Sequence, residues 1–157
     1  MNPVKVLTMY PEKSLIINNM PGDGIPNFTI KDVRYALSHM KTPEFNYCQY
    51  VFMLYGIEPL FALTENTFLY IVKKHPEIIH KSDMKILIKL CRMACIEQTK
   101  PAGKISSKQR YTQLGLTRNK WHYQWKNIFV CAVNYLNNLR QEVIRHFYLM
   151  TRGNEQT

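Results

Sequence analysis

The 157-residue sequence predicts an all-α protein of roughly six helices, with an irregular N-terminal segment and a basic helix-turn-helix-like unit at its C-terminal end. Three observations carry that expectation. Beyond residue 28, apolar residues recur at steps of three and four, the spacing of one helix face. Prolines, glycines and capping residues fall where such helices would start and stop. Hydrophobic residues make up 46 % of the chain, enough to fill a core.

Residues 1–28 read as irregular. Four of the eight prolines (Pro3, Pro11, Pro21, Pro26) and two of the six glycines (Gly22, Gly24) lie there, too dense for a helix. Val4, Val6, Leu7, Leu15, Ile16 and Ile17 favour an extended chain lying on the body, or a strand pair, over a disordered tail.

A helical body is expected over 29–99. Thr29 caps a first helix from Ile30 to about Met40, with Asp32 near its positive end. Thr42-Pro43-Glu44 opens a second, with proline where its missing N–H costs nothing, and Gly56 closes it. Phe45, Cys48, Phe52 and Tyr55 line one side of that helix. Glu58-Pro59 starts a third, which runs to about Lys74 before Pro76. Ser82 is placed to cap a fourth, with Met84, Leu87, Ile88, Cys91, Met93 and Cys95 inward and Lys81, Lys85, Lys89 and Arg92 outward. The stretch from Pro101 to Gly103 breaks the chain before the last region, 104–150.

That region holds a short helix from Ile105 to Leu114, a turn at Gly115, and a long helix opened by Thr117 as N-cap. Leu116 plugs the corner. Trp121, Trp125, Ile128, Ala132, Leu136, Leu139, Val143 and Phe147 form one apolar stripe down the long helix. Against a helix-turn-helix, Tyr111 stands where the motif prefers a small residue and Gln124 where it prefers an aliphatic one, with Trp125 next door to do the packing. Periodicity alone fits a recognition helix and an ordinary helical hairpin equally.

Charge decides between them. No Asp or Glu occurs between Gln98 and Gln141, and residues 98–157 carry ten Lys and Arg against two acids, while residues 1–97 carry eleven against nine. A merely solvated helix mixes signs, because like charges repel along its face. Such a one-signed stretch is the footprint of a polyanion partner. A basic membrane-surface helix fits less well, since the two tryptophans and the aliphatics already have a core to build. The candidate contacts to double-stranded DNA are Lys104, Lys108, Arg110, Thr117, Arg118, Asn119, Lys120, His122, Tyr123 and Lys126. Arg and Asn near a helix N-terminus can pair bidentately with guanine and adenine edges, and the lysines suit phosphates.

Catalytic signatures are lacking in the sequence. It contains no P-loop, no H-E-x-x-H and no G-x-S-x-G, and its acids, Asp83 and Glu97 included, form no close pair. A zinc site built from His75, His80, Cys91 and Cys95 is conceivable but lacks the C-x2-C pairs of structural zinc modules, so reduced core cysteines are expected instead. Neither an enzyme nor a resident cofactor or metal is expected. No apolar run approaches a membrane span and the N-terminus has no signal-peptide pattern, which points to a soluble protein of the cytoplasm without a membrane partner.

The stretch LGLTRNKWHYQWKNIFVCAVNYLNNL carries an R-Y-x-x-L-G-L-[ST]-R turn, a W-x-x-x-W-K helix and a long trailing helix. In these features, over about a third of the chain, the sequence resembles the small late-gene transcription antiterminators (Q proteins) of lambdoid phages. It has no clustered cysteines of the kind the zinc-bearing members use, so the resemblance is to the zinc-free kind. The resemblance implies a phage protein, acting in the bacterial host cytoplasm, that binds a DNA element overlapping a late promoter. It also implies transfer onto paused, sigma-containing RNA polymerase, which then reads through pauses and terminators. The expectation is therefore a sequence-specific DNA-binding transcription regulator, most concretely a late-gene antitermination factor. Two other readings stay open at this point. One is a helix-turn-helix repressor or activator acting only at its operator; the other is a basic helical RNA-binding or protein-interaction module. Binding to DNA as a dimer is open as well.

Overall fold

The computed structural model describes residues 30–53, 56–78, 81–100 and 103–155, and among them there are six helices and no strand. Helix α1 spans Ile30–His39. Helix α2 runs over Thr42–Tyr47 and continues without a break as a π-helical turn, Cys48–Phe52, closed by the Met53 N–H on the Cys48 carbonyl at 3.0 Å. Helix α3 is Ile57–Lys74, α4 is Lys81–Glu97 and α5 is Ser107–Gln113. Helix α6 begins at Arg118–Lys120, passes through a second π-helical turn at Trp121–Trp125 and runs on as Lys126–Glu155. The all-α expectation holds, as do most of the boundaries to within a residue or two. Helix α4 starts at Lys81, so Ser82 is already inside it rather than capping it. The expected irregularity of residues 1–28 and the Thr29 cap lie outside the described residues, as do Tyr55, His80 and Pro101.

The chain divides into two compact units. Among the described residues, one unit joins those up to Pro59 with those from Asn138 onward; the other is Leu60–Asn137. Helix α6 passes from the second unit into the first, and its thirty residues from Lys126 to Glu155 are about 45 Å long.

In the first unit, Ala36 and Leu37 of α1, Phe45, Tyr47, Cys48, Val51 and Phe52 of α2, and Leu139, Val143, Ile144 and Phe147 of α6 are buried. The rings of Tyr47 and Phe52 meet edge to face at 5.8 Å, and the Arg140 guanidinium lies 5.4 Å over Phe52. Glu44 is buried, and its Oε2 stands 2.8 Å from His146 Nε2 and 3.4 Å from the donating backbone N–H of Lys41.

In the second unit the core comes from Leu63 and Ile71 of α3, Leu87, Leu90, Cys91, Ala94 and Cys95 of α4, and the first half of the α6 stripe. Thr67, fully buried, satisfies its hydroxyl on the Leu63 carbonyl at 2.8 Å and touches Cys95 Sγ at 3.7 Å. Tyr70 and Tyr135 stack at 4.3 Å. Ile88, expected inward, is half exposed. The buried stripe of α4 follows Leu87, Leu90, Cys91, Ala94 and Cys95, and Ile88 falls one position beyond its edge, beside the exposed Lys85, Lys89 and Arg92.

Candidate nucleic-acid interface

The junction between α5 and α6 is set by local chemistry. Ser106 caps α5: its hydroxyl accepts from the Gln109 N–H at 3.2 Å, and the Gln109 side chain accepts from the Ser106 N–H at 2.8 Å. This reciprocal box, the pattern S-x-x-Q, was legible in the sequence although it did not enter the prediction of where the helix starts. At the other end Gly115 takes φ +69°, a conformation that a side chain disfavours. The Gly115 N–H donates to the Thr112 carbonyl at 3.1 Å and the Leu116 N–H to the Tyr111 carbonyl at 2.8 Å. Those two bonds are a Schellman stop, and they satisfy carbonyls that the helix end would otherwise leave bare.

Leu114 and Leu116, on either side of the glycine, are buried. Thr117 then caps α6, its hydroxyl accepting from the Lys120 N–H at 3.2 Å. The helix sorts its residues by face from the first turn. Trp121 and Trp125 are each 1 % exposed, whereas Arg118, Asn119, Lys120, His122, Tyr123, Gln124 and Lys126 are exposed. Tyr123 stands out at 88 % exposure. The π-helical turn, closed by the Lys126 N–H on the Trp121 carbonyl, comes where the two indoles follow each other on the inner face. Trp125, and not Gln124, fills the inward position, as the sequence suggested. Trp121 packs on Phe129 with ring centroids 5.6 Å apart, and its buried indole N–H has no hydrogen-bond partner among the described residues.

Of the ten expected contact residues, nine are exposed: Lys104, Lys108, Thr117, Arg118, Asn119, Lys120, His122, Tyr123 and Lys126. Seven of these sit on ten consecutive positions at the N-terminal end of α6, Thr117 to Lys126, where the unpaired N–H groups of the helix end add positive potential. Lys104 and Lys108 flank the start of α5. Arg110 is different. Its Nη2 donates to Glu97 Oε1 at 2.7 Å and its Nε to both carboxylate oxygens at 3.1 Å, while the guanidinium lies 4.6 Å over the Phe129 ring. Arg110 therefore ties α5 to α4 and to the helix under the indoles, and its charge is paired with Glu97 within the fold. Counting acids along the sequence missed this, because Glu97 lies one residue before the acid-free stretch.

Elsewhere, Cys48, Cys91 and Cys95 are buried, and burial raises all three thiols, Cys48 to about 12 and Cys95 to about 11. His75 Nδ1 is 3.1 Å from Glu77 Oε1, and among the described residues His75 does not join Cys91 and Cys95 in a metal-sized group. One unforeseen cluster does exist: ligand atoms of Glu44, Glu142 and His146 lie within 4.8 Å of one another. Glu142 and His146 are one turn apart on α6, which the sequence could show; Glu44 reaches them from α2, which it could not. Glu142 is also held by Arg145 at 2.7 Å, which pulls its carboxyl below the usual range. No helix among the described residues is long and apolar enough to cross a membrane. Compared with family models, curated proteins and solved structures, the chain matches none of them.

Proposed function

We propose that this chain is a sequence-specific DNA-binding transcription regulator, which acts by binding and not by catalysis. The observation that carries the reading is the sorting of α6 at its N-terminal end. Arg118, Asn119, His122 and Tyr123 are exposed beside Lys120 and Lys126, while Trp121 and Trp125 hold the same turns to the core. A helix presented by its N-terminus can enter a major groove, with Arg and Asn aimed at base edges and lysines at the flanking phosphates. The acid-free stretch keeps this face one-signed, and the nearest acid before it, Glu97, is neutralised by Arg110.

Within that class the reading is a late-gene antitermination factor, supported by the resemblance of the turn and the W-x-x-x-W-K helix to the phage antiterminators. Such a factor loads from its DNA site onto paused, sigma-containing polymerase. The test is run-off transcription with purified bacterial polymerase on a template carrying a promoter, a selected binding site and a terminator. Full-length product that rises with added protein supports antitermination. Binding to the site with unchanged termination makes the chain an operator-bound repressor or activator, and failure to bind any duplex removes the DNA reading altogether.

A further inference from the structure

Between the C-terminal half of α4 and the helix-turn-helix-like unit lies an open cavity of about 410 Å³, a volume in the range of small ligand pockets. Its floor is apolar, made by Met93 and Ile96 of α4, Ile105 ahead of α5 and Leu114 behind it. Lys89, Arg92 and Lys100 stand around it, all exposed. The α4 positions 89, 92, 93 and 96 share one helix face, with Lys100 just past the helix end, so cations and apolar groups are presented together. Glu97 is the one acid of the lining, and Arg110 already holds it at 2.7 Å. No carboxylate of the lining is left to balance the three cations.

We propose that this cavity docks an acidic segment of a protein partner, with a leucine- or phenylalanine-sized side chain as its anchor. A nucleic-acid backbone would use the cations but leave the four apolar side chains without a counterpart. A neutral apolar peptide would fill the floor and leave the cations unused. An acidic segment with an apolar anchor satisfies both halves. The site uses none of the α6 residues assigned to DNA, so it stands whether or not the DNA reading does.

The experiment titrates the full-length chain into a fluorescent synthetic peptide that alternates Asp and Glu with Leu and Phe, beside a control with Ser in place of Leu and Phe. Backbone amide shifts of the isotope-labelled protein locate the contact. The expected result is binding at least about tenfold tighter for the apolar-bearing peptide, about 1.4 kcal/mol, with shifts concentrated at residues 89–100 and 105–114. The variant Lys89→Glu/Arg92→Glu should lose about tenfold in peptide affinity while its melting temperature and its affinity for duplex DNA hold. Ile96→Ser supplies an independent check, since it should erase the difference between the two peptides without touching the charge. Equal binding of both peptides, no binding of either, or shifts confined to 117–126 overturn the proposal. So does a charge-reversed variant that keeps the peptide and loses duplex DNA, which would make these cations phosphate contacts.

Discussion

Glu97 grips Arg110 with both carboxylate oxygens, and the face of the same guanidinium covers Phe129 at 4.6 Å. One side chain thus joins the end of α4, the short helix before the turn and the helix that carries the candidate base-reading residues. The pair is three-quarters or more buried, with side-chain exposures of 24 % and 13 %, so its energetics lie between those of surface and interior pairs. Arg110→Ala should lower stability by about 2 kcal/mol, less than the loss for a fully buried pair. The Glu97→Ala/Arg110→Ala double variant should recover part of that loss, because no carboxylate is then stranded. Urea unfolding of the four proteins of this cycle measures the coupling. Additive losses would mean the two side chains act independently.

Lys108 lies in the first turn of α5, exposed, and has no such ion pair among the described residues. Lys108→Ala should weaken binding to every duplex alike and flatten the log–log salt dependence by about one unit, close to the 0.9 expected per phosphate. Filter binding or anisotropy across a salt series reads both. An affinity indifferent to salt would mean that this face does not meet a polyanion.

Arg118 is the first residue of α6, exposed and directly after the Thr117 cap. Arg118→Ala should cost about 1–3 kcal/mol on a site recovered by selection from random duplex, and much less on scrambled DNA. Titrations of both DNAs side by side decide it. Equal losses would make Arg118 a phosphate contact and move sequence reading to Asn119, His122 or Tyr123.

Trp125 is 1 % exposed in the second π-helical turn. Trp125→Ala should cost about 3–5 kcal/mol, enough to unfold a marginal domain. Thermal unfolding followed by circular dichroism tests it. An unchanged melting temperature with lost DNA binding would reverse the two faces of α6.

The buried thiols set an alkaline limit. Cys95 is raised to about 11 and Cys48 to about 12 in the fold, against 9.0 for an exposed thiol. Above pH 9 the unfolded chain therefore releases protons that the folded chain keeps, and stability falls as pH rises. Each thiol contributes up to about 1.4 kcal/mol per pH unit. The Cys95 contribution levels off near pH 11, its folded value. Urea midpoints across this window should drop more steeply for the natural chain than for a Cys48→Ala/Cys95→Ala variant. Parallel slopes would show that the thiols ionise as readily in the fold as out of it.

What the sequence by itself determined follows rules of short range. All eight residues of the α6 stripe, Trp121 to Phe147, are buried, Gly115 has the positive φ its position demanded, and Thr117 caps the helix it was expected to cap. Each depends on neighbours within a turn or two, so a repeat of three and four, a backbone preference or a single hydroxyl suffices to reveal it. Tertiary structure decided the partners. Glu97 and Arg110 are thirteen residues apart and Glu44 and His146 are 102 apart, and no local pattern marks either pair. The same holds for Ile88, whose exposure depends on how far the covered stripe of α4 extends. Which cation is left over for a ligand and which is consumed in the fold depends on how helices are rotated and crossed. Packing sets those two quantities through side-chain volumes contributed from several helices at once, and no window along the chain contains them.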